Sequence, residues 1–210
     1  MPLQNRIDPF GELIATSARG LFLGNRGGRF HRDDQTLGQR RWASRQWICC
    51  VLEFKNRHRK VWGPGYTELF FLDEATALAA GHRPCFECRR AAAKAFAQAW
   101  ARAKGGDIPY APEMDVVLQR ERLDGRAKRR HAMRVDDLPD GTFLTLKDEP
   151  RLAYAVRGSY LLRWSESGYV DRLARPRAMA DVLTPPSIVA ILHAGYRPQW
   201  HPSADVAPSL

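Results

Sequence analysis

Cysteine is scarce in this 210-residue chain, with four in all, and lysine is scarce among the cations, six against 27 arginines. No stretch approaches the ~20 consecutive apolar residues of a membrane-spanning helix, so no helical span and no membrane partner is expected. The opening residues, Met1-Pro2-Leu3-Gln4-Asn5-Arg6, lack the basic segment followed by an apolar one that marks a secretory signal. The expected compartment is therefore the cytoplasm. In a reducing compartment, paired cysteines point to metal or redox chemistry rather than to disulfides. The glycines from Gly24 to Gly28 are followed by no Gly-Lys-Ser/Thr, so they form a turn rather than a phosphate loop. Neither a nucleophile elbow nor a dinucleotide fingerprint is present.

What is abundant is positive charge. The formal net charge is +10 and the isoelectric point about 9.9, the footprint of a protein whose partner carries phosphates. The same arginine and alanine abundance is also what a GC-rich genome produces. An apolar fraction of 44% and a charged fraction of 27% fit an ordinary globular protein with a substantial core.

Glycines and turns separate short apolar pieces over residues 1–30, which predicts small strands. Trp47 to Lys55 is the strongest strand signal, almost continuously apolar and rich in aromatic residues. A second strand is expected over Tyr66 to Leu72. Asp73-Glu74 then opens a helix at its electropositive end, and Gly81 closes it. Pro84 is placed to start the next element. A long helix follows over Cys88 to Lys104, with Phe96 and Trp100 on one face, and a further one over Glu113 to Leu123. From Leu138 onward, short alternating runs predict a small antiparallel sheet, then a helix over Ile188 to Ala194 and a loose tail from Pro198. Leu78 to Pro84 and Leu192 to Pro198 echo each other, which fits a shared way of ending a helix.

The sharpest motif is Gly81-His82-Arg83-Pro84-Cys85-Phe86-Glu87-Cys88. A Cys-x-x-Cys turn aims two thiolates at one point, half of a tetrahedral zinc site. The other cysteines, Cys49 and Cys50, are adjacent, and neighbouring residues on a strand point to opposite faces. The ligand set read from this pattern is Cys85, Cys88, one of Cys49 and Cys50, and a histidine. Cys50 is preferred because it shares a face with Ile48, Leu52 and Phe54. His31, His58 and His82 compete for the fourth place, with His31 able to reach back. A buried cysteine is also an ordinary core residue, so packing is the alternative.

Residues 66–88, about two dozen of 210, resemble the second half of the Ada-type zinc-binding domain. That family shows a strand, a polar helix start, an alanine-rich turn and then Ala-Gly-aromatic-Arg-Pro-Cys-x-x-Cys. It holds one zinc through four cysteines, and in DNA-repair members one of them accepts a methyl group from a phosphotriester. Versions appended to nucleases are structural and can replace a cysteine by histidine. Here Cys49 and Cys50 have no spacer between them, which removes the spacing that places the methyl acceptor. The resemblance implies a structural zinc and favours DNA over RNA as partner.

Two further patterns bear on function. Asp34 with Glu53-x-Lys55 resembles the Asp…Glu-x-Lys core of restriction-like nucleases, in which carboxylates hold a metal and lysine assists the attacking water. Arg57, Arg59, Lys60, Arg83, Arg89, Arg90, Lys128, Arg129 and Arg130 are candidates for a phosphate-binding surface. The aromatic residues Trp42, Trp47, Trp62 and Tyr66 suit either base stacking or core packing. The reading is an α+β protein: a zinc-stabilised strand-helix module, then a long helix and a small antiparallel β unit. It divides at 1–112 and 113–210 or forms one domain. Its expected work is nucleic-acid binding; a metal-dependent nuclease or repair enzyme and a protein-interaction module are the alternatives.

Overall fold

The computed structural model describes residues 1–57 and 60–208; His58 and Arg59 lie outside them. Strands Arg6–Ile7 (β1), Leu13–Ile14 (β2), Phe22–Arg26 (β3), Trp47–Val51 (β4) and Leu69–Phe71 (β5) are followed by helix Glu74–Ala79 (α1) and strand Arg83–Pro84 (β6). These strands form a mixed six-stranded sheet in the order β2-β1-β5-β3-β4-β6. Helices Arg90–Lys104 (α2) and Ala111–Arg122 (α3) come next, then a two-stranded ribbon of Leu123–Asp124 (β7) and Ala127–Lys128 (β8). The second half contributes His131–Arg134 (β9), Phe143–Leu146 (β10), Glu149–Arg157 (β11), Tyr160–Ser165 (β12), Gly168–Ala174 (β13) and Met179–Val182 (β14). These six form an antiparallel sheet in the order β13-β12-β11-β10-β14-β9. Helices Pro186–His193 (α4) and Ser203–Val206 (α5) complete an α+β architecture.

Helix α1 lies between these layers. All six of its residues are buried. Ala75 and Ala79 pack with Phe143, Leu162 and Tyr169 of the antiparallel sheet, Ala77 with Phe71 and Ile7 of the mixed sheet, and Leu78 with Phe96 and Met114 of α2 and α3. The alanines are what let backbone approach from several sides. Asp73 caps the helix, accepting from the Thr76 N–H at 2.8 Å. Gly81 ends it at φ +87°, and a Cβ there would sit 2.7 Å from Arg122 Cδ. The echo at the end of α4 has the same origin. Gly81 and His82 donate to the Leu78 and Ala77 carbonyls, and Gly195 and Tyr196 donate to those of Leu192 and Ile191.

Several sequence expectations are corrected. The strand expected over residues 47–55 stops at Val51, because Lys55 and Asn56 turn the chain with φ near +52° and +53°. Pro84 does not open a helix but closes β6, which runs parallel to Ile48-Cys49 of β4. The basic run after Gly125 becomes strand β8 and the approach to β9. Strand β14, which carried no turn or branched-residue signal, is inserted between β10 and β9. The tail from Pro198 is docked, not loose. The Glu74 N–H donates to the Gln199 carbonyl at 3.0 Å and the Gln199 N–H donates to the Glu74 carboxylate at 2.9 Å, while the His201 N–H donates to Asp73 at 3.1 Å. Trp200 stacks near Tyr169 at 5.7 Å, and Ala204 and Ala207 are buried.

Arg83, expected on a phosphate-binding surface, is buried instead. It forms a two-pronged ion pair with Asp115 of α3, both distances 2.8 Å, with side chains 4% and 3% exposed. Removing one partner leaves an uncompensated buried charge, which costs about 3–5 kcal/mol. Asp115→Ala is therefore expected to lower unfolding free energy in urea by that amount, and the paired apolar substitution Arg83→Met/Asp115→Leu to recover most of it.

Candidate metal centre

The pairing of β4 with β6 builds the cysteine cluster. Because side chains alternate along β4, Cys49 turns into the core with Phe22, Leu69 and Phe71, and Cys50 turns to the other face. The Cys85 N–H donates to the Cys49 carbonyl at 2.9 Å, which carries β6 alongside and sets Cys85 next to Cys50. The chain then turns, with the Arg89 N–H donating to the Cys85 carbonyl at 3.0 Å, and brings Cys88 back over the same spot. The sulfurs of Cys50, Cys85 and Cys88 all lie within 4.8 Å of one another, and these three can hold a metal ion. A tetrahedral zinc with Zn–S bonds of about 2.3 Å spaces its sulfurs roughly 3.8 Å apart, so a small inward movement closes the site.

The thiols already share protons. Hydrogen bonds from Cys50 and then Cys88, with help from the Cys88 and Glu87 N–H groups, hold Cys85 well below the usual thiol range. Cys50 is pushed up by donating to Cys85 and Cys88 and by burial. Cys88 is pulled down by Cys50, but its bond to Cys85 and its burial outweigh that and leave it raised. A metal that takes all three as thiolates must displace two protons, which makes its binding weaker as pH falls.

Cys49 belongs to a different network and is not a fourth ligand. Its sulfur accepts from Arg89 at 3.4 Å, and burial pushes its thiol up against that guanidinium. Arg89 in turn pairs with Glu74 at 2.8 Å, with both side chains buried. Arg89 is thereby removed from the phosphate-binding candidates. His31 is also elsewhere. Its Nε2 donates to the Gly63 carbonyl at 3.0 Å, its Nδ1 takes the Thr67 hydroxyl at 2.8 Å, and its ring stacks on Trp62. Neither ring nitrogen has a lone pair left for a metal. His82 is fully buried against Trp47 and Phe71, accepts from Arg26 at 3.3 Å and is held well below the usual histidine range by burial. His58 lies outside the described residues. Among the described residues, no fourth His, Cys, Asp or Glu joins the three cysteines.

The cluster faces a cleft of about 750 Å3 that is also lined by Glu53, Lys55, Arg57, Tyr66, Glu68 and Glu87. Glu53 and Lys55 are exposed there beyond the end of β4. Asp34 lines a separate cleft with Asp33, Lys60 and Trp62, and it caps Thr36 at 2.7 Å. The structure therefore does not gather Asp34 with Glu53 and Lys55. Glu68, which no sequence pattern marked, and Tyr66, read as a stacking or core aromatic, precede β5 and line the same cleft as the cysteines.

The remaining basic candidates divide by environment. Arg57, Arg129 and Arg130 are exposed, facing Glu87 at 2.7 Å, Asp124 at 3.4 Å and Asp181 at 3.9 Å. Such surface pairs are weak and leave these arginines open to a phosphate. Lys60 and Arg90 are exposed as well. Lys128 turns inward, its Nζ donating to the Ala79 carbonyl. Trp47 and Trp62 are core residues, 2% and 3% exposed, so base stacking is left to half-buried Trp42 and Tyr66. Compared with family models, curated proteins and solved structures, the chain gives no match.

The two faces of β4 predict opposite behaviour from adjacent cysteines. Cys50→Ser is expected to lose bound metal. Cys49→Ala is expected to keep full metal content while losing about 1 kcal/mol of stability, as read by elemental analysis and thermal unfolding.

Proposed function

We propose that the protein is a zinc-stabilised nucleic-acid-binding protein, with Cys50, Cys85 and Cys88 as the protein ligands and DNA rather than RNA as the partner. The observation that carries the metal assignment is the convergence of three sulfurs within 4.8 Å from a strand and a Cys-x-x-Cys turn distant in sequence. Thiolate-rich sites favour zinc among divalent ions, and a site that ties β4 to the start of α2 serves structure. The partner assignment is supported by the net charge of +10 and by exposed Arg57, Lys60, Arg90, Arg129 and Arg130. Preference for DNA rests on the resemblance of residues 66–88 to the Ada-type domain.

The test has two parts. Protein purified without chelators is expected to carry about one zinc per chain, and Cys85→Ser to lose both the zinc and several degrees of melting temperature. Absence of zinc from the wild-type protein overturns the metal assignment. Affinity for duplex DNA is then measured from 50 to 200 mM salt. Release of counterions from about four phosphates weakens binding roughly 100-fold over that range. A flat salt dependence would instead indicate a protein partner.

A second reading, metal-dependent hydrolysis of nucleic acid, is favoured by one observation: Glu53 and Lys55 line the same cleft as the cysteines. In that reading Cys50, Cys85 and Cys88 would hold the metal, whose chemistry would be to activate a water, and Glu53 would take that water's proton. Metal-dependent cleavage that disappears in Glu53→Ala while zinc content stays at one per chain would establish it; no cleavage in the wild type removes it.

A further inference from the structure

The protein's buried arginines are of two kinds. Arg83 and Arg89 each face a buried carboxylate, Asp115 and Glu74. Arg26 and Arg122, 1% and 0% exposed, have none. Both guanidinium groups stack on the Trp47 indole, at 3.8 and 3.9 Å from its ring centroid. Arg26 spends its donors on His82 and on the carbonyls of Gly11 and Arg41. Arg122 donates to the carbonyls of Gly81 and Arg45 and to the Gln119 side chain, and its fully buried Nε has no partner. Every acceptor is neutral. Among the described residues none of Arg26, Arg41, Arg122, Arg126 and Lys128 forms an ion pair, yet all five line one small pocket beside Trp47. Glu12, itself exposed, is the single carboxylate lining it, and Asp8 stands within electrostatic reach of Arg26 and Lys128, so two carboxylates face five cations. Buried charges in proteins are paired or held by an ion of opposite sign, so this pocket is short of negative charge.

We propose that this pocket binds a phosphate group, taken up by Arg26, Arg41, Arg122, Arg126 and Lys128. Its inner free volume of about 20 Å3 is room for about one water-sized atom, so a single phosphate oxygen enters it while the rest of the group stays at the mouth, and neither a sugar nor a base fits. The rest of the ligand lies in a wider cleft of about 470 Å3, which shares Arg41, Trp42 and Arg126 with the pocket and adds Arg40. A monoester phosphate suits the site better than a carboxylate or chloride, because its charge near neutral pH is about −1.5 to −2 and its oxygens accept from several donors at once. Burial, and after it repulsion from the neighbouring cations, lowers Arg26 to about 9, Arg122 to about 8 and Lys128 to about 7, and an anion in their midst restores their charged forms. The site stands apart from the cysteine cluster and does not depend on the nucleic-acid reading, since free phosphate is enough to test it.

Inorganic phosphate is titrated against the zinc-loaded full chain by calorimetry and by thermal unfolding, with chloride at equal ionic strength as control. Saturable binding is expected, with a rise in melting temperature of roughly 5 °C or more at 100 times Kd. Lys128→Met and Arg126→Ala are each expected to weaken it about tenfold or more without changing zinc content. Arg126 is exposed, so its variant reports even where Lys128→Met fails to fold. A 12-residue single strand with a 5′-phosphate is compared with its 5′-hydroxyl twin. A tenfold preference for the phosphorylated end, lost in Arg126→Ala, identifies a nucleic-acid terminus as the source. Binding of inorganic phosphate with no such preference identifies a small phosphorylated molecule. Phosphate that acts no differently from chloride, or equally on wild type and both variants, overturns the proposal.

Discussion

The structure depends on a helix of six residues with no solvent-facing side. Helix α1 meets the mixed sheet, the antiparallel sheet and the α2–α3 layer, so each of its positions must be small or fitted. Overpacking at such a crossing displaces backbone on more than one side. Its ends carry the polar groups that burial demands. Asp73 accepts from Thr76, Tyr169 and His201, and Glu74 accepts from Arg89, Tyr196 and Gln199. Both carboxylates are thereby satisfied. The same bonds draw the last residues of the chain against its middle.

From this centre the two-faced character of β4 follows. One face completes the core, and Cys49 is tuned by Arg89 as part of the α1 network. The other face opens to the cleft and presents Cys50 to the Cys-x-x-Cys turn. Two adjacent and chemically identical side chains thus join the core and the cysteine cluster, separated only by the alternation of a strand. The link is direct, because Glu74 and Cys49 share Arg89, so the helix that joins the layers also fixes the strand that positions the cluster.

Charge is distributed with similar economy. Where a buried arginine holds elements together, at Arg83 and Arg89, a carboxylate comes with it. Around Trp47 the protein instead brings cations together with neutral acceptors, an arrangement the proposed phosphate would complete. The exposed arginines form a third class, loosely paired at the surface.

Local chemistry was legible in the sequence by itself. Asp73 and Gly81 bounded α1, Gly195 ended α4 by the same capping geometry, and Ala-rich Arg90–Lys104 had to be helical. The Cys-x-x-Cys turn marked two members of the cysteine cluster, and Cys50 was preferred over Cys49, although the alternation behind that choice stops with β4 at Val51 and Leu52 is exposed. Tertiary structure decided what depends on long-range pairing. A two-residue strand, Arg83–Pro84, is too short to leave a periodic signal, yet its parallel pairing with β4 is what assembles the cluster. It also decided the fate of charges. Arg83, Arg89 and Lys128 look like Arg90 and Arg129 in a sequence, because a formal charge carries no record of whether the fold surrounds it. His31 read as a plausible ligand for the same reason: only the approach of Thr67 and Gly63 occupies both of its nitrogens.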